Sequence, residues 1–276
     1  MDRIRLIASD MDATLLDEQS QLPADFEETI HALAELGIRF APASGRPLYT
    51  LEAMFPTLQD ELVFIGDNGG AIRWKGQNLF TSEMSPEGWR ALNRLTREQG
   101  DIAVLCGLES AYVERPFAVH DAVLRHFYTK IEYVDRLEDV TAPADKFTIY
   151  LPQHNAQQAY DTVYASQRSI YSVAVAGECW VDIMNPGVHK GAALQTLGQL
   201  WGLPPECIMA FGDTYNDAEM LQTVRYGFLM ENGSVPLRQK VPFLAPSHRE
   251  AGVMQVLHRV LAQNGCVCPE DFVPAH

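Results

Sequence analysis

No apolar run in the 276 residues approaches the about 18 needed to cross a membrane, which excludes a transmembrane helix. The opening MDRIRLIASDMD lacks the layout of a secretory signal, so a cytoplasmic location is expected. Basic residues are scarce. There are 21 Lys and Arg against 36 Asp and Glu, a net charge of −15, so neither nucleic acid nor an anionic membrane surface is expected as a partner. Cysteine is sparse as well. The five residues, at 106, 179, 207, 266 and 268, are odd in number and scattered, which excludes a disulfide framework. Cys266 and Cys268 have no second pair to complete a zinc site and read as ordinary thiols. Internal repeats and low-complexity tracts are absent.

Apolar residues make up 47% and charged residues 21%, the mix of a globular protein able to bury a core without staples. The length suggests two domains at roughly 150 residues each. Short β-like runs alternate with amphipathic stretches, which predicts an α/β fold with a mostly parallel sheet. Strands are expected at 4–9, 38–43 and 62–65, with a helix over 25–36 stopped by Gly37. Asn68-Gly69-Gly70 signals a turn, and 71–74 its return arm. From about Thr81 the texture changes to a block with βαβ-like order. It comprises a helix opened by Ser85-Pro86, strands at 102–106, 111–114 and 146–152, helices near 117–127 and 153–167, and strands at 169–176 and 179–184. The first texture returns after Asn185-Pro186-Gly187, with helices at 190–201, 217–224, 235–240 and 250–261 and strands at 208–211, 226–230 and 243–245. The tail CVCPEDFVPAH is expected to be loose.

Three strand ends of the first texture are polar. The first runs into Asp10-Met11-Asp12, the second into Ser44-Gly45-Arg46-Pro47, and 208–211 into Gly212-Asp213-Thr214-Tyr215-Asn216-Asp217. Ligands bind beyond the carboxyl ends of strands in open parallel sheets, so the three clusters should meet. The acids Asp10, Asp12, Asp213 and Asp217 would repel one another there unless neutralised. A hard divalent cation, Mg²⁺ foremost, suits an all-oxygen set. The plain alternative is helix capping, which suits Asp217 but leaves the 10/12 pair and Asp213 unexplained. Ser44 and the Gly45 amide, at an expected helix start, favour an anion such as phosphate; a simple N-cap is the alternative. Lys190 opens a helix, where a cation opposes the helix dipole unless it faces an anion; a solvated lysine is the alternative. A carboxylate nucleophile, a divalent cation, a hydroxyl and amide cradle and a lysine are the parts of phosphoryl transfer. The four tryptophans read as packing, and His189 as a solvated loop residue.

These motifs resemble those of the haloacid dehalogenase-like (HAD) hydrolase superfamily, in particular its Cof-like phosphatases with a type-IIB cap. The first stands here as Asp10-Met11-Asp12-Ala13-Thr14-Leu15-Leu16, the second as Ser44, the third as Lys190 in PGVHKGAAL, the fourth as Gly212-Asp213-Thr214-Tyr215-Asn216-Asp217. The resemblance implies a Rossmann-like core over 1–81 and 186–276 with an inserted α/β cap over 82–185. It implies that Asp10 attacks phosphorus and that Asp12 is the acid and base. It also implies that Asp10, the Asp12 carbonyl, Asp213 and Asp217 hold or surround Mg²⁺, and that Ser44, Lys190 and Asn216 hold phosphoryl oxygens. The expected activity is hydrolysis of small phosphorylated metabolites, sugar phosphates foremost, by a monomer or small homo-oligomer. A phosphomutase and a low-turnover phospho-ligand sensor are the alternatives. The family's Gly is Ala13 here, which matters only if φ is positive at that residue.

Overall fold

The computed structural model describes residues 2–276. In chain order its strands and helices begin with β1 (Asp2–Arg3), β2 (Leu6–Ser9), α1 (Phe26–Glu35), β3 (Arg39–Pro42), α2 (Leu48–Ala53), β4 (Val63–Gly66), β5 (Ala71–Trp74) and β6 (Gln77–Thr81). There follow α3 (Pro86–Gln99), β7 (Ile102–Gly107), β8 (Ala111–Glu114), α4 (Asp121–Phe127), β9 (Ile131–Val134), β10 (Ala144–Tyr150), α5 (Ala156–Asp161), β11 (Ser172–Val175) and β12 (Trp180–Met184). The last are α6 (Lys190–Trp201), β13 (Ile208–Gly212), α7 (Ala218–Thr223), β14 (Tyr226–Met230), β15 (Phe243–Ala245), α8 (Gly252–Ala262), β16 (Cys266–Val267) and β17 (Val273–Pro274).

The main sheet has the order β17-β15-β14-β13-β2-β3, parallel except at the β17 edge. Its central strands are buried on both faces, which is what a parallel sheet covered by helices demands. Period-2 alternation sorts the side chains. Ile7, Phe40, Met209 and Phe211 enter the layer that also holds Phe26, Ile30 and Leu33 of α1. Leu6, Ala8, Ala41 and Ala210 enter the opposite layer with Leu194, Leu197 and Leu221. β2, β3 and β13 run the same way, so their polar ends emerge together.

The second sheet has the order β11-β12-β10-β7-β8-β9. Only β8 and β9, joined through α4, are parallel; the other pairs are antiparallel, so βαβ order holds for one unit alone. α3 is capped by the Ser85 hydroxyl, which accepts the Gly88 N–H at 3.1 Å, and ends at left-handed Gly100. The helix expected over 153–167 is shorter. α5 stops at Asp161, where the Thr162 hydroxyl donates to the Gln158 carbonyl at 2.7 Å and competes with continued helix. The tail is ordered, against expectation: β16 pairs with β1 and β17 with β15. Phe272 anchors it, edge-on to Phe228 with centroids 5.0 Å apart.

Candidate active site

Asp10 follows β2, and its N–H donates to the Phe211 carbonyl at 3.0 Å, which ties the end of β2 to that of β13. Asp213 follows β13. Oxygens of Asp10, Asp213 and Asp217 lie within 4.8 Å of one another, so three of the four expected acids converge and the side chain of Asp12 does not join them. Gly212 makes the fold of this loop possible: a Cβ there would stand 2.4 Å from that of Asp217.

Lys190 is fully buried as the first residue of α6. Its Nζ donates to Asp10 Oδ1 at 2.5 Å and to Asp217 Oδ1 at 2.6 Å. The ammonium at a helix start is thus answered by two carboxylates. Burial would lower its pKa, but Asp10 and then Asp217 outweigh burial and raise it. The other Asp217 oxygen accepts the N–H groups of Asp213 and Thr214, at 3.0 and 3.2 Å. Both oxygens of Asp217 are therefore engaged. Burial pushes Asp10 up to about 7, against the pull of Lys190, with Asp217 and Asp213 adding to the rise. Burial and Asp217 push Asp213 up to about 6.

Asp12 differs from Asp10. Its side chain is 58% exposed and accepts from Arg46 Nη2 at 2.9 Å. The next residue, Ala13, has φ +58°, the left-handed conformation that favours glycine. Its carbonyl accepts Asn232 Nδ2 at 2.8 Å, which holds the loop in place. Ser44 does not cap a helix, since α2 begins only at Leu48 with Pro47 as its cap. Its hydroxyl instead accepts the Arg46 N–H at 3.1 Å. Asn216 is exposed and accepts the Thr214 hydroxyl at 2.6 Å, leaving its amide N–H groups for another acceptor. His189 is not a free loop residue: Nδ1 accepts the Ala192 N–H at 3.1 Å and caps α6.

Asp10, Asp12, Ser44, Gly45, Asp213 and Asn216 line one cavity of about 630 Å³. Lys190 and Asp217 lie beneath its floor. The far wall comes from the second sheet and the end of α4, and its residues were not foreseen. Phe127, Tyr128, Lys146, Thr148, Trp180 and Asp182 stand there. The alternation of KFTIY and WVDIM carries the signal. Lys146, Thr148, Trp180 and Asp182 occupy alternate positions, while Phe147, Ile149, Val181 and Ile183 enter the opposite core. Thr148 faces Asp182 across the ladder and donates to its Oδ1 at 2.7 Å. Trp180 therefore both packs, with Tyr150 4.6 Å away, and faces the cavity. Arg115 pairs with Asp135 and takes no part in the wall. No helix among the described residues is long and apolar enough to cross a membrane.

The chain is similar to known phosphatases. Over 94% of its length the chain is 31% identical to a 5-amino-6-(5-phospho-D-ribitylamino)uracil phosphatase of Escherichia coli, covering 96% of that protein. It is also 31% identical to an HMP-PP phosphatase of Cronobacter sakazakii, over 87% of this chain and 89% of that protein. A crystal structure from Streptococcus mutans superposes with a TM-score of 0.85 at 28% identity, covering 94% of this chain and 99% of the other. The family model for haloacid dehalogenase-like hydrolases matches residues 7–257, and the chain belongs to that family.

Proposed function

We propose that the chain is a Mg²⁺-dependent phosphatase that hydrolyses small phosphorylated metabolites through an aspartyl-phosphate on Asp10. The observation that carries this reading is the meeting of Asp10, Asp213, Asp217 and Lys190 at the carboxyl ends of β2 and β13. The donor set suits the cation, being hard oxygen throughout, with two carboxyls whose burial and mutual repulsion call for positive charge. The side chains of Asp10 and Asp213, with the Asp12 carbonyl, would hold it. Asp217, with both oxygens engaged, serves Lys190 instead. When bound, the cation supplies charge that keeps Asp10 ionised and offsets that of the phosphoryl group.

Asp10 attacks phosphorus as the bond to the leaving oxygen breaks, and Asp12 gives that oxygen its proton. Asp12, now a carboxylate, takes a proton from water as the water attacks the aspartyl-phosphate. Phosphate leaves and Asp10 is restored. Arg46 orients Asp12 between these roles. Ser44, the Gly45 amide and Asn216 hold phosphoryl oxygens, and Lys190 adds positive charge from behind Asp10. Residues 82–185 act as the cap that closes over the site and selects the substrate.

The cap wall favours a ring-bearing ester over a bare sugar phosphate. Phe127 and Trp180 offer aromatic surface. The polar groups beside them are already engaged, Asp182 by Thr148 and Asn68, Lys146 by Gly45 and Asp67. The uracil ring in the name of the Escherichia coli relative's substrate fits this reading. A screen of primary alkyl phosphates with Mg²⁺, ranked by kcat/KM, is the test. Flavin and pyridoxal phosphates are expected above glucose 6-phosphate, with Asp10→Asn inactive. Equal efficiencies would remove the ring preference. Turnover equal to that of Asp10→Asn would favour a sensor, and transfer to a second sugar a mutase.

A further inference from the structure

We propose that Lys146 is a positioning residue that sets the phosphate cradle from the inserted segment, acting through the Gly45–Arg46 peptide on the hydroxyl of Ser44. The inference rests on the reading of Ser44 as a phosphate contact.

Lys146 is 2% exposed on β10, yet it reaches across to the main sheet's loops. Its Nζ donates to the Gly45 carbonyl at 2.6 Å and stands 3.0 Å from Asp67 Oδ1 and 3.7 Å from Asp182 Oδ2. The chain has no cis peptide among the described residues, so the carbonyl of Gly45 and the N–H of Arg46 point in opposite directions from one plane. Lys146 draws the carbonyl toward the second sheet. The N–H is thereby aimed back at Ser44 Oγ, to which it donates at 3.1 Å. A hydroxyl occupied as an acceptor has its own hydrogen left to donate. The chain of bonds thus runs from ammonium to carbonyl, from amide to hydroxyl, and from hydroxyl to the phosphoryl group. Such chains polarise each successive bond, by roughly 10–30%.

The peptides on either side of it are fixed from the main sheet's side. The turn after β4 donates its Asp67 N–H to the Arg46 carbonyl and its Asn68 N–H to the Ser44 carbonyl, both at 2.9 Å. Both residues are left-handed, with φ of +50° and +54°, a strain these bonds maintain. Gly45 lacks a side chain where a Cβ would lie 3.2 Å from Asn68 Oδ1. Neutralising Asp67 and Asp182 would explain a lysine here. It does not explain why the shortest contact of that lysine is to a main-chain carbonyl of the phosphate loop.

The test is a double-mutant cycle over wild type, Lys146→Met, Ser44→Ala and the pair. Asp67→Asn/Lys146→Met is added so that the nearer buried carboxylate is not left without its partner, while Asp182 keeps its bonds from Thr148 and Asn68. Each protein is assayed for the kcat and KM of p-nitrophenyl phosphate hydrolysis and, by calorimetry, for the dissociation constant of inorganic phosphate. Lys146→Met and Asp67→Asn/Lys146→Met are each expected to weaken phosphate binding and kcat/KM by about tenfold or more. In the Ser44→Ala background the same change is expected to cost less than about twofold. Equal losses in both backgrounds, or none in the Asp67→Asn/Lys146→Met protein, would overturn the proposal. Coupled phosphate binding without turnover would remove the phosphatase reading and leave this one standing. Turnover abolished by Asp10→Asn, with additive Lys146 and Ser44 effects, would do the reverse.

Discussion

Ala13 shows what one methyl group can cost beside Asp12, the proposed acid. A left-handed alanine is unfavourable by about 1–2 kcal/mol, and here the Asn232 amide holds it there. Ala13→Gly is therefore expected to raise Tm by about 2–4 °C with activity retained, measured by calorimetry alongside steady-state assay. An unchanged or lower Tm would mean that the loop carries no such strain. Arg46 tethers Asp12, and Arg46→Met is expected to lower kcat by about 10²-fold while KM moves less. A loss confined to KM would place Arg46 in binding instead. Asp10 and Asp213 were legible in the sequence because each directly follows an apolar strand, where buried carboxylates demand a common partner. Arg46 was quoted within its motif yet gave no sign of its role, since its meeting with Asp12 depends on a loop closing across 34 residues.

At the scale of elements, the parallel core was readable because its strands are apolar throughout and its helices keep a 3.6-residue stripe. The far wall was not. Lys146 and Asp182 stand in strands whose alternate residues fill a core, and alternation alone does not say whether the polar face meets water or another sheet. The strands β6 and β9 lacked an apolar run and passed unnoticed. The tail misled for a related reason: its two strands are two residues each, too short to show a period. Phe272, 7% exposed against Tyr226, Phe228 and Phe243, makes the tail part of the core. Phe272→Ala is expected to destabilise the fold by about 3–5 kcal/mol with kcat per folded molecule unchanged. A negligible shift in the denaturation midpoint would restore the loose tail. Trp180→Leu should lower kcat/KM for ring-bearing esters about three- to tenfold and leave glycerol phosphate within about twofold. Parallel losses for both would deny Trp180 a part in selection.

The whole molecule carries a net charge of −15 and concentrates buried negative charge at one point. Without a cation, burial holds the Asp10 carboxyl near 7 and the Asp213 carboxyl near 6, against an ordinary value of 3.8. The folded chain then keeps protons at pH 5 that the unfolded chain has released. Stability falls with pH wherever the folded state binds more protons. As far as these two groups decide it, the Mg²⁺-free protein should therefore be most stable below about pH 4, and lose that contribution as pH rises through about 7. The proposed cation would take the place of those protons, so its stabilisation should grow over the same interval and its binding near pH 6 should release protons. Melting curves at pH 5 and 8, with and without Mg²⁺, supply the first measurement. Calorimetry at pH 6 in buffers of different ionisation enthalpy supplies the second. A Mg²⁺-induced rise in Tm that is larger at pH 5 than at pH 8, or binding heat independent of buffer, would contradict the shared cation. In Asp213→Asn the proton release should shrink, because one of the two displaced protons no longer exists.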